Sequence, residues 1–300
     1  MVYSDPGKFA TPHLLIGKLN SANIFSIIYL FKIDQNMPTI FISPQIKLYY
    51  KDTNSSGNPA VLLLHGLGAT HESWTFQVPA LVKENFRVII PDLRGFGQST
   101  YGGRSHTIGD MAADVIALMD AKELASAHVV GISMGGAIAL QLACDYPDHV
   151  QRLVLVNTFA HLRPQSLKRL LYFASRFVLV HTLGITTQAR FVTQRLLPNP
   201  DQELLRQALL DQILQSDPRG YRATMRALAR FNRRDCLPYI KNETLIVSGE
   251  QDLTVPLPVQ RLLAEKIPSA SQVIISGAGH AVTGEKPEEF NQVLIQFLST

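Results

Sequence analysis

Ala127-His128-Val129-Val130-Gly131-Ile132-Ser133-Met134-Gly135-Gly136 is an apolar, β-branched run that halts on a glycine-flanked serine and passes at once into a helical stretch, Met134 to Tyr146. A serine in a G-x-S-x-G sequence at that junction sits on a sharp strand-to-helix turn, which requires a strained backbone. The small residues at 131 and 135 let strand and helix approach closely enough to hold it there. Its hydroxyl is then lifted above the end of the sheet. The pentapeptide alone also fits an ordinary tight glycine turn, and the strand before it and helix after it favour a nucleophile.

The same rhythm extends in both directions. Upstream, Gln45 to Asp52 (QIKLYYKD) alternates as an edge strand does, NSSGNP is a turn, and Ala60 to Leu64 is a continuous apolar run of the fully buried kind. Phe86 to Ile90, Leu153 to Val156, Thr244 to Val247 and Gln272 to Ile275 are further short β-rich runs. Ile108 to Asp120, Pro258 to Ile267 and Pro287 to Leu298 have helical length and spacing, the last two opened by proline near the first turn. Strands alternating with helices predict an α/β chain with a mostly parallel central sheet flanked by helices on both faces.

One interval breaks the alternation. About eighty residues after the Leu153–Val156 run read as several amphipathic helices with no strand, an inserted helical cap spanning residues 159–237. The core is then residues 37–158 and 238–300. Phe173, Phe177, Phe191 and Phe231 lie in this insertion. They could wall a pocket, but their spacing assigns most of them to the insertion's own core.

A serine hydroxyl needs a base, supplied from elsewhere in the chain. His280 is the best placed of nine histidines, in Ser276-Gly277-Ala278-Gly279-His280, directly after the last apolar strand. His65 also ends a strand, but within a different motif. The third member is a carboxylate that orients the imidazole, and Asp252 follows the Thr244–Val247 strand in Ser248-Gly249-Glu250-Gln251-Asp252. Glu250 competes with it on the same loop, and Asn157 occupies the comparable place after the preceding strand. Backbone N–H groups of Leu67, in His65-Gly66-Leu67-Gly68, and of Met134 are the expected oxyanion donors.

These segments together resemble the α/β-hydrolase superfamily, from about Gln45 to Leu298. HGLG, PDLRGFGQST, GISMGG, GEQDLTVP and GAGH occur in its order, as does the succession Ser133, Asp252, His280. The resemblance places the cap after the sixth strand of the fold and gives Asp92 a turn-forming rather than a catalytic role. GISMGG followed by Arg152-Leu153-Val154-Leu155-Val156-Asn157-Thr158 is similar to the branch of enol-lactonases, carboxylesterases and carbon–carbon bond hydrolases. It implies a small-molecule ester, lactone or related acyl substrate, with no cofactor and no metal. Cleavage of vinylogous diketone acids ranks second, and a ligand receptor or scaffold on the same fold is the reading from another class.

Bulk properties agree with one globular core: 300 residues, 46% hydrophobic, 17% charged, without repeats or low-complexity linkers. Net charge is +4, yet residues 161–236 hold 13 Lys or Arg against 5 Asp or Glu. Such a basic lobe suits an anionic substrate, although solvated arginine faces give the same count. The arginines alternate with Leu and Ala at helical spacing and no nucleic-acid motif accompanies them, so nucleic acid is not an expected partner. Cys144 and Cys236 are far apart in sequence and read as ordinary buried thiols, which allows a reducing, cytoplasmic compartment. Residues 24–33 (IFSIIYLFKI) are too short to span a bilayer. Residues 1–36 therefore read as a mis-assigned start, a loose extension or, least favoured, a peripheral membrane-contacting segment. Nothing in the spacing specifies an oligomeric state.

Overall fold

A computed structural model describes residues 38–162 and 166–300; the apolar run at 24–33, and with it the three readings of residues 1–36, lies outside them. Eight strands form one sheet: β1 (Thr39–Ser43), β2 (Ile46–Thr53), β3 (Ala60–Leu64), β4 (Arg87–Pro91), β5 (Ala127–Ile132), β6 (Val150–Val156), β7 (Glu243–Gly249) and β8 (Ala270–Ile275). Their spatial order is β1-β2-β4-β3-β5-β6-β7-β8. β2 runs antiparallel to both its neighbours, and every pair from β4 to β8 is parallel. β1 was not expected as a separate strand. It is an outer edge whose Phe41 is exposed, so it carries little of the burial pattern that marks the inner strands.

The inner strands are apolar on both faces because both faces are covered. Leu62 and Leu64 pack with Met111, Val115, Ile138 and Leu142, which belong to α2 (Ile108–Ala121) and α3 (Met134–Asp145). Val61 and Leu63 point the other way, onto Leu81 of α1 (Val78–Lys83) and Leu294 and Leu298 of α10 (Pro287–Leu298). α8 (Leu257–Lys266) joins the first layer through Leu263, and the one-turn α9 (Val282–Glu285) joins the second through Val282. α2 starts where a capping box allows: Thr107 Oγ1 accepts from Asp110 N, and the Asp110 carboxylate accepts from Thr107 N. α3 is buried from Met134 to Ala143, so it shows little amphipathicity despite being the helix that carries the motif.

Between β6 and β7 the chain forms α4 (Leu167–Thr182), α5 (Gly184–Leu196), α6 (Glu203–Leu214) and α7 (Pro218–Arg230). The only extended pairing there among the described residues is one isolated bridge, His161 with Asn232. These helices meet the loops that leave the C-terminal ends of the strands. Gln212 Oε1 accepts from Thr70 N at 3.1 Å, Asp217 N donates to Gly95 O at 3.0 Å, and Arg169 Nη2 donates to Thr254 O at 2.8 Å.

Two expectations for this region are corrected. Phe231 is buried, but Phe177 and Phe191 are exposed, together with Leu167, Leu170, Leu171 and Val178. α4 turns Leu167, Leu170, Leu171, Phe177 and Val178 outward and buries Tyr172, Arg176 and Val180 instead. The second correction concerns the cysteines, which are joined as a disulfide with Cα atoms 6.1 Å apart. They are half-buried rather than core thiols. Their separation of 92 residues concealed the pairing, because the end of α3 and the 3-10 turn Arg234–Tyr239 meet only once the insertion has folded back on the sheet. The free-thiol argument for a reducing compartment falls with it.

Candidate active site

Ser133 directly follows β5 and is the N-cap of α3, with φ 55° and ψ −111°. A side chain with β-carbon at positive φ costs on the order of 1–3 kcal/mol, so the surroundings must hold it in place. Ser133 N donates to Val156 O at 2.9 Å, and its carbonyl accepts from Thr158 Oγ1 at 2.6 Å. A Cβ on Gly131 would collide with the Gly135 backbone, and one on Gly135 with the carbonyl of Leu64. Only glycine permits this crossing of β5, α3 and β3.

Beyond β3, Ala69 N donates to Gly66 O at 3.1 Å and Gly68 has φ +84°, the signature of a type II turn with glycine at its third position. A Cβ on Gly66 would lie 3.7 Å from Ser133 Cβ, so the turn runs beside the serine. The amides of Leu67 and Met134 donate no hydrogen bond to any described residue. His65 anchors the turn from below: Nδ1 donates to Gly66 O at 2.8 Å, and Nε2 accepts from Leu93 N at 2.9 Å. Burial pushes its pKa down to about 4, so the ring is neutral in the one tautomer these bonds allow.

His280 and Asp252 meet across 28 residues, with Nδ1 donating to Asp252 Oδ2 at 2.8 Å. Asp252 Oδ1 accepts from Thr254 N at 2.7 Å and Val255 N at 2.9 Å, and its side chain has no exposed surface. That set leaves the carboxylate one free direction, toward the imidazole, and leaves His280 Nε2 as the free nitrogen. Glu250 points elsewhere. It is exposed and accepts from Ser276 Oγ at 2.8 Å and Gly277 N at 2.9 Å, which lowers its pKa. Among the described residues no hydrogen bond joins Ser133 Oγ to His280, though both stand at the same end of the sheet.

Two residues around this cluster escaped the sequence reading of roles. Asn157, buried at φ 44°, ties three loops together: Nδ2 donates to Gly279 O at 3.0 Å and His280 O at 2.9 Å, while Oδ1 accepts from Gly249 N at 2.8 Å. The signal for it in the sequence is its place directly after β6, comparable to that of Asp252 after β7. Glu285 brackets the histidine, its two oxygens accepting from Gly279 N at 3.0 Å and Ala281 N at 2.9 Å, with Gln202 Nε2 also at 3.0 Å. Burial raises its pKa against those donors. Asp92 is fully buried and accepts from His71 N, His71 Nδ1 and Gln98 N at 2.8–2.9 Å, bonds that shape its own turn. A surface crevice of about 460 Å³ lined by Pro147, Tyr239 and Glu243 opens at the start of β6 and β7, the opposite end of the sheet. Among the described residues no group of three His, Cys, Asp or Glu side chains is spaced to hold a metal ion.

The profile of the alpha/beta hydrolase fold family matches residues 59–287, more than half of the chain. The chain is an α/β-hydrolase. This hydrolase is 34% identical over 252 residues to a protein of Caulobacter sp. (strain K31) named carbamate hydrolase RutD, covering 82% of this chain and 92% of that one. Among solved structures it superposes on the enol-lactonase from Burkholderia xenovorans LB400 with TM-score 0.81 and 29% identity, covering 88% of this hydrolase and all of that chain. A hydrolase from Pseudomonas aeruginosa PA01 gives the same TM-score at 26% identity, with 89% and 99% covered.

Proposed function

We propose that this hydrolase cleaves a carboxylic ester or lactone through an acyl-enzyme on Ser133. Ser133 Oγ attacks the acyl carbonyl while His280 Nε2 takes its proton. Asp252 fixes the imidazole tautomer and stabilises its protonated form. The amides of Leu67 and Met134 hold the oxyanion. The tetrahedral adduct collapses as His280 returns the proton to the departing alkoxide oxygen. Water, deprotonated by the same nitrogen, then attacks the acyl carbon and releases the acid with Ser133 restored. Residues 159–237 act as the cap over this site and shape the substrate pocket.

The observation that carries this reading is the 2.8 Å bond between His280 and the buried Asp252, at the sheet end where Ser133 sits at φ 55°. The enol-lactonase superposition supports it. The name of the Caulobacter relative adds carbamates, whose carbonyl is open to the same attack, to the substrates worth testing.

The test is labelling with a fluorophosphonate probe followed by turnover of p-nitrophenyl esters, lactones and carbamates. Wild-type protein is expected to label and turn over esters or lactones, and Ser133→Ala and His280→Ala to do neither. Wild-type activity in Ser133→Ala would falsify the assignment. Tight ligand binding by folded, unlabelled wild type would instead identify a receptor on this fold.

A further inference from the structure

Arg176 is a charge inside the insertion with nothing of opposite sign beside it. It is 8% exposed. Its described partners are all neutral: Nη2 donates to the Tyr221 hydroxyl at 3.2 Å, and Gln188, in the orientation that satisfies both ends of its amide, accepts from Nε at 3.0 Å. Six other arginines of the described residues pair with Asp or Glu, whereas Arg176 does not. A guanidinium is removed from water at large cost unless an anion meets it, and no described side chain supplies one.

Arg176 is not alone. Arg169 lies two turns earlier on α4, on the same side of the helix. Its Nη1 is buried and has no partner, although Nη2 is held by Thr254 O at 2.8 Å in the loop that carries Asp252. Arg195, on α5, stacks 4.2 Å from the ring centre of Tyr172, and the Arg176 guanidinium lies 5.8 Å from the centre of the same ring. Burial and the charge of Arg195 hold the Arg169 guanidinium below its ordinary range, with Asp252 opposing them.

These arginines border the reaction centre on two sides. Tyr221, which takes the Arg176 hydrogen bond, packs against Phe96, and a Cβ on Gly68 would lie 3.0 Å from its ring. The turn carrying Leu67 is therefore one side chain away from Arg176. Arg169 reaches the same centre through the Asp252 loop. α4 has turned its arginines inward and its leucines outward, the reverse of what solvation alone would choose.

We propose that Arg176 and Arg169 form an anion-binding subsite that receives a free carboxylate on the substrate, so that the preferred substrate is a half-ester or lactone bearing a carboxylate remote from the scissile acyl group. The proposal rests on the reading of Ser133 as the acylated residue. Two charged donors here act by charge-assisted bonds in a water-poor setting, where they discriminate a carboxylate from its neutral isostere.

The experiment compares mono-p-nitrophenyl succinate, glutarate and adipate with their methyl p-nitrophenyl diesters, which differ only in the charge at the far end. Wild type is expected to show a higher kcat/KM for at least one half-acid than for its diester. Arg176→Gln is expected to lower that ratio about 100-fold and Arg169→Gln about 10-fold. A wild-type ratio at or below one for all three chain lengths, or an unchanged ratio in folded variants of both arginines, overturns the proposal. If Arg176→Gln does not fold, the half-exposed Arg169 decides through its own variant. Calorimetry of glutarate with folded Ser133→Ala separates the two readings. Glutarate binding that Arg169→Gln removes supports the subsite even if no ester is ever turned over. Absence of glutarate binding beside normal turnover of neutral esters sinks the subsite and leaves Ser133 standing.

Discussion

The side-chain amide of Asn157 donates to the backbone carbonyl of His280 at 2.9 Å, while its own carbonyl accepts from Gly249 at the end of β7. One buried residue after β6 thus fixes where the histidine loop sits relative to the loop of its carboxylate partner. Asn157→Ala leaves two carbonyls and one N–H without partners in a buried place, and each costs about 1–3 kcal/mol. We expect a loss of roughly 3 kcal/mol or more in chemical denaturation, with fluorophosphonate labelling slowed at least about 10-fold in the protein that remains folded. Labelling at the wild-type rate would show that the loop finds its place without this residue.

Gly135→Ala tests the crossing beneath the serine. The added methyl would meet the carbonyls of Leu64 and His65, which are backbone and cannot swing aside. We expect either no soluble protein or a loss above about 3 kcal/mol, within the range of overpacked sites. Gly103→Ala is the control: nothing lies near its would-be Cβ, and only its positive φ opposes the change, at about 1 kcal/mol. Similar stability in the two variants would contradict the crossing described.

Acid should weaken this protein well above the carboxylate range. His65, His106 and His128 all have pKa values lowered from 6.5 to about 4, in each case first by burial. The unfolded chain therefore takes up protons from pH 6.5 downward that the folded chain refuses until about pH 4, so stability falls as pH drops through that window. His65 alone accounts for about 3 kcal/mol at the acid end, because protonated Nε2 would face the Leu93 N–H it now accepts from. Urea unfolding at pH 7.5, 5.5 and 4.5 checks this, and a flat profile contradicts it. Below about pH 4 the lowered pKa values of Asp52, Asp92 and Asp217 take over in the same direction.

The Cys144–Cys236 bridge closes a loop of 92 residues. Chain entropy assigns such a closure about 4–5 kcal/mol. The double variant Cys144→Ala/Cys236→Ala is expected to melt at least about 5 °C lower than wild type, with a comparable shift on adding reductant to wild type but none on adding it to the variant. Equal melting of oxidised and reduced wild type would mean that packing alone holds these segments.

Much of the fold was legible because the sheet is covered on both faces. That burial writes unbroken apolar runs such as Ala60–Leu64 into the sequence, and Pro287–Leu298 announces itself by proline and period. β1 was not legible, since an edge strand with an exposed Phe41 has no such signature. In the site, a glycine-flanked serine and a histidine after the last strand stand out by local pattern. The choice between Asp252 and Glu250 rests on which carboxylate the turn at Thr254 and Val255 captures, a matter of loop geometry. The inward arginines of α4 were hidden for a related reason: periodicity shows that a helix has two faces, and apolar content picks the wrong one when the buried face carries an arginine held by neutral partners.

The same disulfide that joins α3 to the turn before β7 encloses β6 and every helix of the insertion in one covalent ring. A peptide bond cut at the outer surface of α4 or α5 would leave two polypeptides still held as a single body.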